Sequence, residues 1–269
     1  MLFLEDVFYM FNKDLMDKAE MSHEDLELLV STIKEFNPVK FLEIGVAAGS
    51  TSRIIIDQLS SSSIMYSVEL LNHYYQDKSK KSGYLMEEYY SEEKHPEWVF
   101  FRGKDISECI DDIGEGIDFL LLDTVHSLPG EFLSFLVVLP YMKDHSVVYL
   151  HDIALHSFYK RKLGSITAGE KNAYCNSLLF SSIFSRDKRL STAEHPNSGV
   201  VVIDKEYVMN NLFPVLDMLF QDWYRLPDAG ILMKTLYYVK EYYLKKDTLF
   251  FEQAVQYNLG LKDVFLGKA

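Results

Sequence analysis

The chain has 269 residues, 48% of them hydrophobic, 25% charged and 14% aromatic, which suits a packed α/β domain with appendages and excludes a disordered or low-complexity chain. Lys and Arg number 27 against 40 Asp and Glu, a net charge of −13 that repels phosphate backbones and anionic lipid, so nucleic acid and membrane are disfavoured as partners. No run reaches the roughly 18–20 apolar residues of a membrane helix. The opening Met1-Leu2-Phe3-Leu4 lacks a basic start, and two cysteines, Cys109 and Cys175, are too few for a disulfide framework. The expectation is a soluble, cytoplasmic protein.

Ser22 followed by Asp25 reads as a capped helix start, and Leu26, Leu29, Val30, Ile33 and Phe36 continue it as one apolar stripe until Asn37-Pro38. Residues 39–44 read as a first strand, 50–59 as a helix, 64–70 as a second strand, and the polar stretch 72–95 as mostly helical. Residues 98–102 form a third strand, 107–113 a short helix, 117–122 a fourth strand, 128–142 a helix and 146–150 a fifth strand. The nearly all-apolar 117–122 has the composition of a strand covered on both faces. Strands alternating with helices predict an α/β, doubly wound, mostly parallel sheet with its strand C-terminal ends on one rim. Residues 154–196 read as a long loop with an intervening helix, 199–204 as a further strand, and the aromatic-rich stretch from Glu206 onward as helical. The organisation expected is an N-terminal helical segment (1–38), a central domain (39–205) and a C-terminal helical extension (206–269).

Glu43-Ile44-Gly45-Val46-Ala47-Ala48-Gly49-Ser50 runs from a strand through a glycine turn into a helix. Glycines there remove side chains where the backbone bends and a ligand approaches, and the helix start offers free amides. The spacing E-x-G-x-x-x-G differs from the dinucleotide fingerprint G-x-G-x-x-G, which disfavours a nicotinamide-dependent oxidoreductase. Glu69, ending the second strand, is placed to accept from ribose hydroxyls, or is a solvated strand end. Asp105, after the third strand, is placed to accept from an adenine amino group, or caps the helix that follows.

Taken together, Glu43-x-Gly45-x-x-x-Gly49, Glu69 and Gly103-x-Asp105 resemble, in order, the motifs of class I S-adenosylmethionine-dependent methyltransferases over residues 39–204. The resemblance implies a seven-stranded Rossmann-like fold with an antiparallel final strand, for which residues 199–204 are available. It also implies S-adenosylmethionine (SAM) held by Glu43, Gly45, Gly49, Ser50, Glu69, Asp105 and Asp123. Asp123-Thr124-Val125-His126-Ser127 and the later His151-Asp152 are similar to the branch containing macrocin-type and other sugar O-methyltransferases. That branch implies Asp123 and Asp152 as ligands of Mg²⁺, His126 as catalytic base, and a glycoside as small-molecule acceptor. The chain departs from the branch at Thr124-Val125 and at Lys143-Asp144-His145-Ser146, where a glycine pair is usual.

The chemistry asks for such residues independently. An alcohol must lose its proton to be methylated, a hard cation on carboxylates lowers its pKa, and an imidazole can take the proton. The bland alternative is that Asp123 and Asp152 cap loops and that His126 and His151 make ordinary polar contacts. Lys160-Arg161-Lys162 either steers an anionic acceptor or is a solvated loop. The aromatic C-terminal helices cover the acceptor side, form a homodimer contact or are ordinary core. The rival function is a non-catalytic cofactor- or partner-binding member of the same fold.

Overall fold

The structure, a computed structural model, describes residues 21–157 and 173–265, with the backbone alone for 261–265. Lys160-Arg161-Lys162 and residues 1–20 lie outside the described residues. The first described element, α1 (His23–Phe36), begins at Ser22, whose hydroxyl accepts the Asp25 N–H, and ends at Asn37 in the left-handed conformation. Seven strands follow: β1 (Lys40–Ile44), β2 (Ile64–Glu69), β3 (Glu97–Arg102), β4 (Ile117–Leu122), β5 (Met142–Leu150), β6 (Asp187–Leu190) and β7 (Gly199–Asp204). They form one sheet in the order β3-β2-β1-β4-β5-β7-β6. The first five are mutually parallel, and β7 runs antiparallel to both β5 and β6.

Side-chain alternation sorts the sheet into two cores. Phe41, Met65, Phe119, Leu121, Val147 and Tyr149 face α1 and α2 (Ser50–Ile56). Leu42, Ile44, Leu120, Leu122, Val148 and Leu150 face the opposite side. There they meet α4 (Ile110–Ile113), α5 (Gly130–Val138) and the C-terminal helices. Phe41 and Phe119 stack across β1 and β4 at 4.6 Å, and the Tyr149 hydroxyl donates to the Asp25 carbonyl at 2.7 Å, tying α1 to the middle of the sheet.

Several elements differ from expectation. The stretch 72–95 is mostly turn and bend; α3 (Tyr84–Tyr89) is its one helix, because lysine, serine and tyrosine there supply no buried stripe. The helix expected over 128–142 starts only at Gly130, and β5 begins at Met142 rather than Ser146, pairing Met142 with Ile117. Within 154–196, where a loop with one intervening helix is expected, α6 (Cys175–Ser182) supplies that helix, and the strand β6 is added to it. The C-terminal helices α7 (Lys205–Asn210), α8 (Phe213–Asp217), α9 (Ala229–Tyr242) and α10 (Lys245–Phe265) are bound into the core by Leu216, Leu219, Trp223, Val239 and Phe251. Backbone carbonyls anchor their aromatic tips: the Tyr243 hydroxyl donates to Leu136 O, and Trp223 Nε1–H to Leu219 O. Among the described residues no helix is long and apolar enough to cross a membrane.

Candidate active site

A cavity of about 980 Å³ opens at the C-terminal rim of β1, β4 and β5. Its walls include Glu43, Gly45–Ala48 and Ser50 from the first turn, Asp123–Ser127 from the β4 end, and His151 and Asp152 from the β5 end. The rim is continuous because hydrogen bonding runs one residue past the strands: Gly45 N–H donates to Val68 O, Asp123 N–H to Ile44 O, and His151 N–H to Leu122 O. Cavities of several hundred cubic ångströms at such a rim are where doubly wound sheets bind ligands.

In the first turn, Gly45 sits at φ +94°, and a Cβ on it would lie 1.7 Å from the Asp123 carbonyl oxygen. The close approach that demands glycine is therefore by the end of β4, as well as by any ligand. Glu43, one residue from the strand end, is buried, and its Oε2 accepts hydroxyl hydrogens from Ser52 and Ser67, each at 2.7 Å. Burial pushes its carboxyl up to about 7, against those two hydroxyls and with help from Asp123 and Glu69. Ser50 lines the cavity with a buried hydroxyl that has no hydrogen-bond partner, a polar atom suited to a ligand.

Gly49, Glu69 and Asp105 do not line the cavity. Gly49 caps α2 at φ +89° and packs against the start of α3. Glu69 braces the glycine turn: its Oε2 accepts the Val46 and Ala47 N–H groups at 3.0 Å each, and its Oε1 accepts Leu71 N–H at 2.8 Å. A carboxylate offers about four acceptor positions, so three are engaged and one remains. Asp105 is a helix cap: it accepts Ser107 N–H, while Glu108 reaches back to the Asp105 N–H to complete a capping box.

The β4 and β5 ends carry a cluster of alternating acids and imidazoles. His126 Nε2 lies 3.0 Å from Asp152 Oδ2 and 3.8 Å from Asp123 Oδ1. His151 Nδ1 lies 3.2 Å from Asp123 Oδ2 and 3.7 Å from Asp152 Oδ2. Asn197, two residues before β7, donates to Asp152 Oδ1 at 2.5 Å. Burial lowers both ring pKa values, but the carboxylates win. Glu131, Asp152 and Asp123 raise His126 to about 9, and Asp152 and Asp123 raise His151 to about 10. Asp123 is pushed up by burial and held below its ordinary value by His151 and His126. Asp123, His126 and Asp152 can each offer one ligand atom within 4.8 Å of the others, a set of two hard oxygens and one nitrogen that fits a divalent cation.

The sequence thus pointed to three members of the cluster, and the structure brings them together. It passed over Glu131, His151 as a partner of Asp123, and Asn197. Glu131 carries a readable signal: it is an acid opening a helix whose next seven residues are Phe132-Leu133-Ser134-Phe135-Leu136-Val137-Val138. Asn197 has none, since its role depends on where β7 enters the sheet.

Residues 42–153 match a family described as a methyltransferase domain. No protein of curated function matches the chain by sequence. Among solved structures, a candidate caffeoyl-CoA O-methyltransferase from Staphylococcus aureus is 14% identical, covers 74% of this chain and 97% of its own, and superposes with a TM-score of 0.55. The O-methyltransferase TomG from Streptomyces achromogenes, solved in complex with SAM, is 15% identical over 74% of this chain and 96% of its own, with a TM-score of 0.50. The S-adenosylhomocysteine (SAH)-bound methyltransferase PaMTH1 from Podospora anserina is 9% identical over 74% and 86%, also at 0.50. The chain has the Rossmann-like methyltransferase fold, and its rim residues lie within or directly beside the matched segment.

Proposed function

We propose that this chain is a SAM-dependent O-methyltransferase acting on a hydroxyl of a sugar or sugar-bearing small molecule. The observation that carries the reading is the placement of His126, Asp123 and Asp152 on the same cavity wall system as the glycine turn and the unpartnered Ser50 hydroxyl. A donor seated on the turn and an acceptor seated by the acids would then face one another across the rim. TomG was solved with SAM and PaMTH1 with SAH, which supports the same cofactor here.

In this reading Gly45 to Ala48 and Ser50 hold the methionine end of SAM, with Glu43 setting the turn from beneath. Glu69 keeps one acceptor position for a ribose hydroxyl while bracing Val46 and Ala47. Asp123 and Asp152 would hold a divalent cation such as Mg²⁺, which supplies positive charge beside the acceptor oxygen and lowers the pKa of its hydroxyl. The same carboxylates now hold the His126 ring in its charged form; with their charge offset, His126 Nε2 can accept the hydroxyl proton as the methyl group transfers. The sulfonium is already an activated donor, so the protein's remaining task is alignment. Tyr224 and Arg225, between α8 and α9, line the cavity beyond the acids, which makes the C-terminal extension part of the acceptor wall.

Calorimetry with SAH and with NAD, followed by a methyl-transfer screen over glycosides and small phenols with and without Mg²⁺, tests the reading. SAH should bind and NAD should not. His126→Ala should lower turnover by roughly 10² or more, as for loss of a general base, with SAH affinity unchanged. Failure to bind SAH overturns the cofactor assignment. Full turnover in His126→Ala overturns the base, and SAH binding with no transfer to any acceptor favours the non-catalytic alternative.

A further inference from the structure

We propose that Asn197 is a positioning residue for Asp152, binding one oxygen of its carboxylate so that the other, Oδ2, is the atom presented to a divalent cation at the rim. The proposal rests on the reading of Asp123 and Asp152 as cation ligands. The Asn197 side chain donates from Nδ2 to Asp152 Oδ1 at 2.5 Å and accepts the Ala154 N–H on its own Oδ1 at 3.0 Å. Its backbone carbonyl accepts the Ile153 N–H, also at 3.0 Å. One residue therefore binds three successive residues of the turn that follows β5.

The register of the sheet brings Asn197 to that turn. The strand β7 runs antiparallel to β5, with Leu150 opposite Gly199 as the last pair. Continuing the same opposition past the strands sets Asn197 against Asp152. The turn needs support, because Asp152 sits at φ +58°, in the left-handed region that non-glycine residues occupy only at a cost. Asn176 of α6 holds the residue before it, donating from Nδ2 to the His151 carbonyl at 2.7 Å. Two asparagines from different elements thus fix residues 151–154.

Asparagine is the side chain this position asks for. Its amide carries a donor and an acceptor side by side; reversed, it would set oxygen against the Asp152 carboxylate and N–H against the Ala154 N–H. An aspartate could serve the Ala154 amide but would repel Asp152. A lysine or arginine would bind Asp152 through its charge and compete with a cation. The neutral amide orients the carboxylate and leaves its negative charge uncompensated. Asp152 Oδ2 is the oxygen beside His126, 3.0 Å from Nε2, and Asp123, His126 and Asp152 form the group able to meet on one ion. A carboxylate held in one orientation beforehand loses less freedom when the ion binds, which is how an outer partner raises affinity.

The test is a Mn²⁺ titration of the full chain, following loss of the free-ion signal by electron paramagnetic resonance, with no acceptor and no turnover involved. Asn197→Ala should weaken Mn²⁺ binding by about 10–100-fold, the usual cost of removing an outer partner of a metal ligand, with SAH affinity within about twofold of wild type. A merely structural asparagine gives a lower melting temperature with unchanged Mn²⁺ affinity in the folded variant, and that result overturns the proposal. If the variant does not fold, a crystal structure of the wild type with Mn²⁺ decides. The ion should sit on Asp152 Oδ2 with the Asn197 amide still on Oδ1; an ion that engages Oδ1 overturns the proposal. A wild type that binds no Mn²⁺ at Asp152 removes the cation reading and this proposal with it. Binding at Asp152 that is indifferent to Asn197→Ala removes the proposal alone.

Discussion

Two constraints meet at Gly45: a backbone at φ +94° and a neighbouring carbonyl where a Cβ would have to go. Gly45→Ala should therefore cost at least about 3 kcal/mol, combining left-handed strain with overpacking, and urea denaturation should show the midpoint falling with an unchanged slope. Two residues earlier, Glu43 couples the same turn to pH. Its carboxyl is raised from an ordinary 4.5 to about 7 by burial, so the folded protein binds a proton there that the unfolded chain has released. Stability contributed by this group is then greatest below about pH 4.5, falls as pH rises towards 7, and levels off above it, for a total of roughly 3 kcal/mol. Glu43→Gln keeps an acceptor for the Ser52 and Ser67 hydroxyls and removes the titration. Its unfolding free energy should vary less between pH 5 and pH 8 than that of the wild type, and an identical pH profile for the two would refute the burial argument.

At the scale of elements, the C-terminal helices are structural before they are anything else. Val208, Leu212, Leu216, Leu219, Trp223, Val239, Tyr243 and Phe251 belong to the same core as the inner residues of β1, β4 and β5. A fully buried large apolar side chain contributes about 1.5–3 kcal/mol, so removing these exceeds the roughly 5–15 kcal/mol that holds a domain together. A chain ending at Lys205 should be insoluble or, if recovered, should lack near-ultraviolet circular dichroism and bind a hydrophobic dye. A soluble, monomeric truncation with native spectra would contradict the packing. The parallel strands were legible because each is an apolar run bounded by Gly, Pro or Ser, and the rim motifs follow from where those runs end. The helix α1 was legible from Ser22, the stripe and Asn37-Pro38. What escaped were features set by a pairing in space rather than by local pattern. The early start of β5 depends on Ile117, and the inward turn of Glu131 depends on a histidine five residues before it.

For the molecule as a whole, the order β3-β2-β1-β4-β5-β7-β6 puts the chemistry near the middle of the sheet and leaves β3 and β6 as its two borders. The strand β6 was invisible to pattern because Asp187-Lys188-Arg189-Leu190 has three charged residues in four and no alternation. Its charge is matched within and beyond the strand: Arg189 pairs with Asp187 in β6 itself and with Glu35 at the end of α1. Pairs this exposed add little to stability, at most about 1 kcal/mol each. At the opposite border, β3 opens on Glu97 and closes on Arg102, whose guanidinium is turned towards Glu87 and the Ser82 carbonyl. Each border therefore presents ionic side chains to any foreign strand that might align with it, and such a strand would have to desolvate them to form its first hydrogen bonds. Ionic side chains at a border oppose self-templated growth of the sheet, a protection against aggregation written in the residues that contribute least to its folding energy.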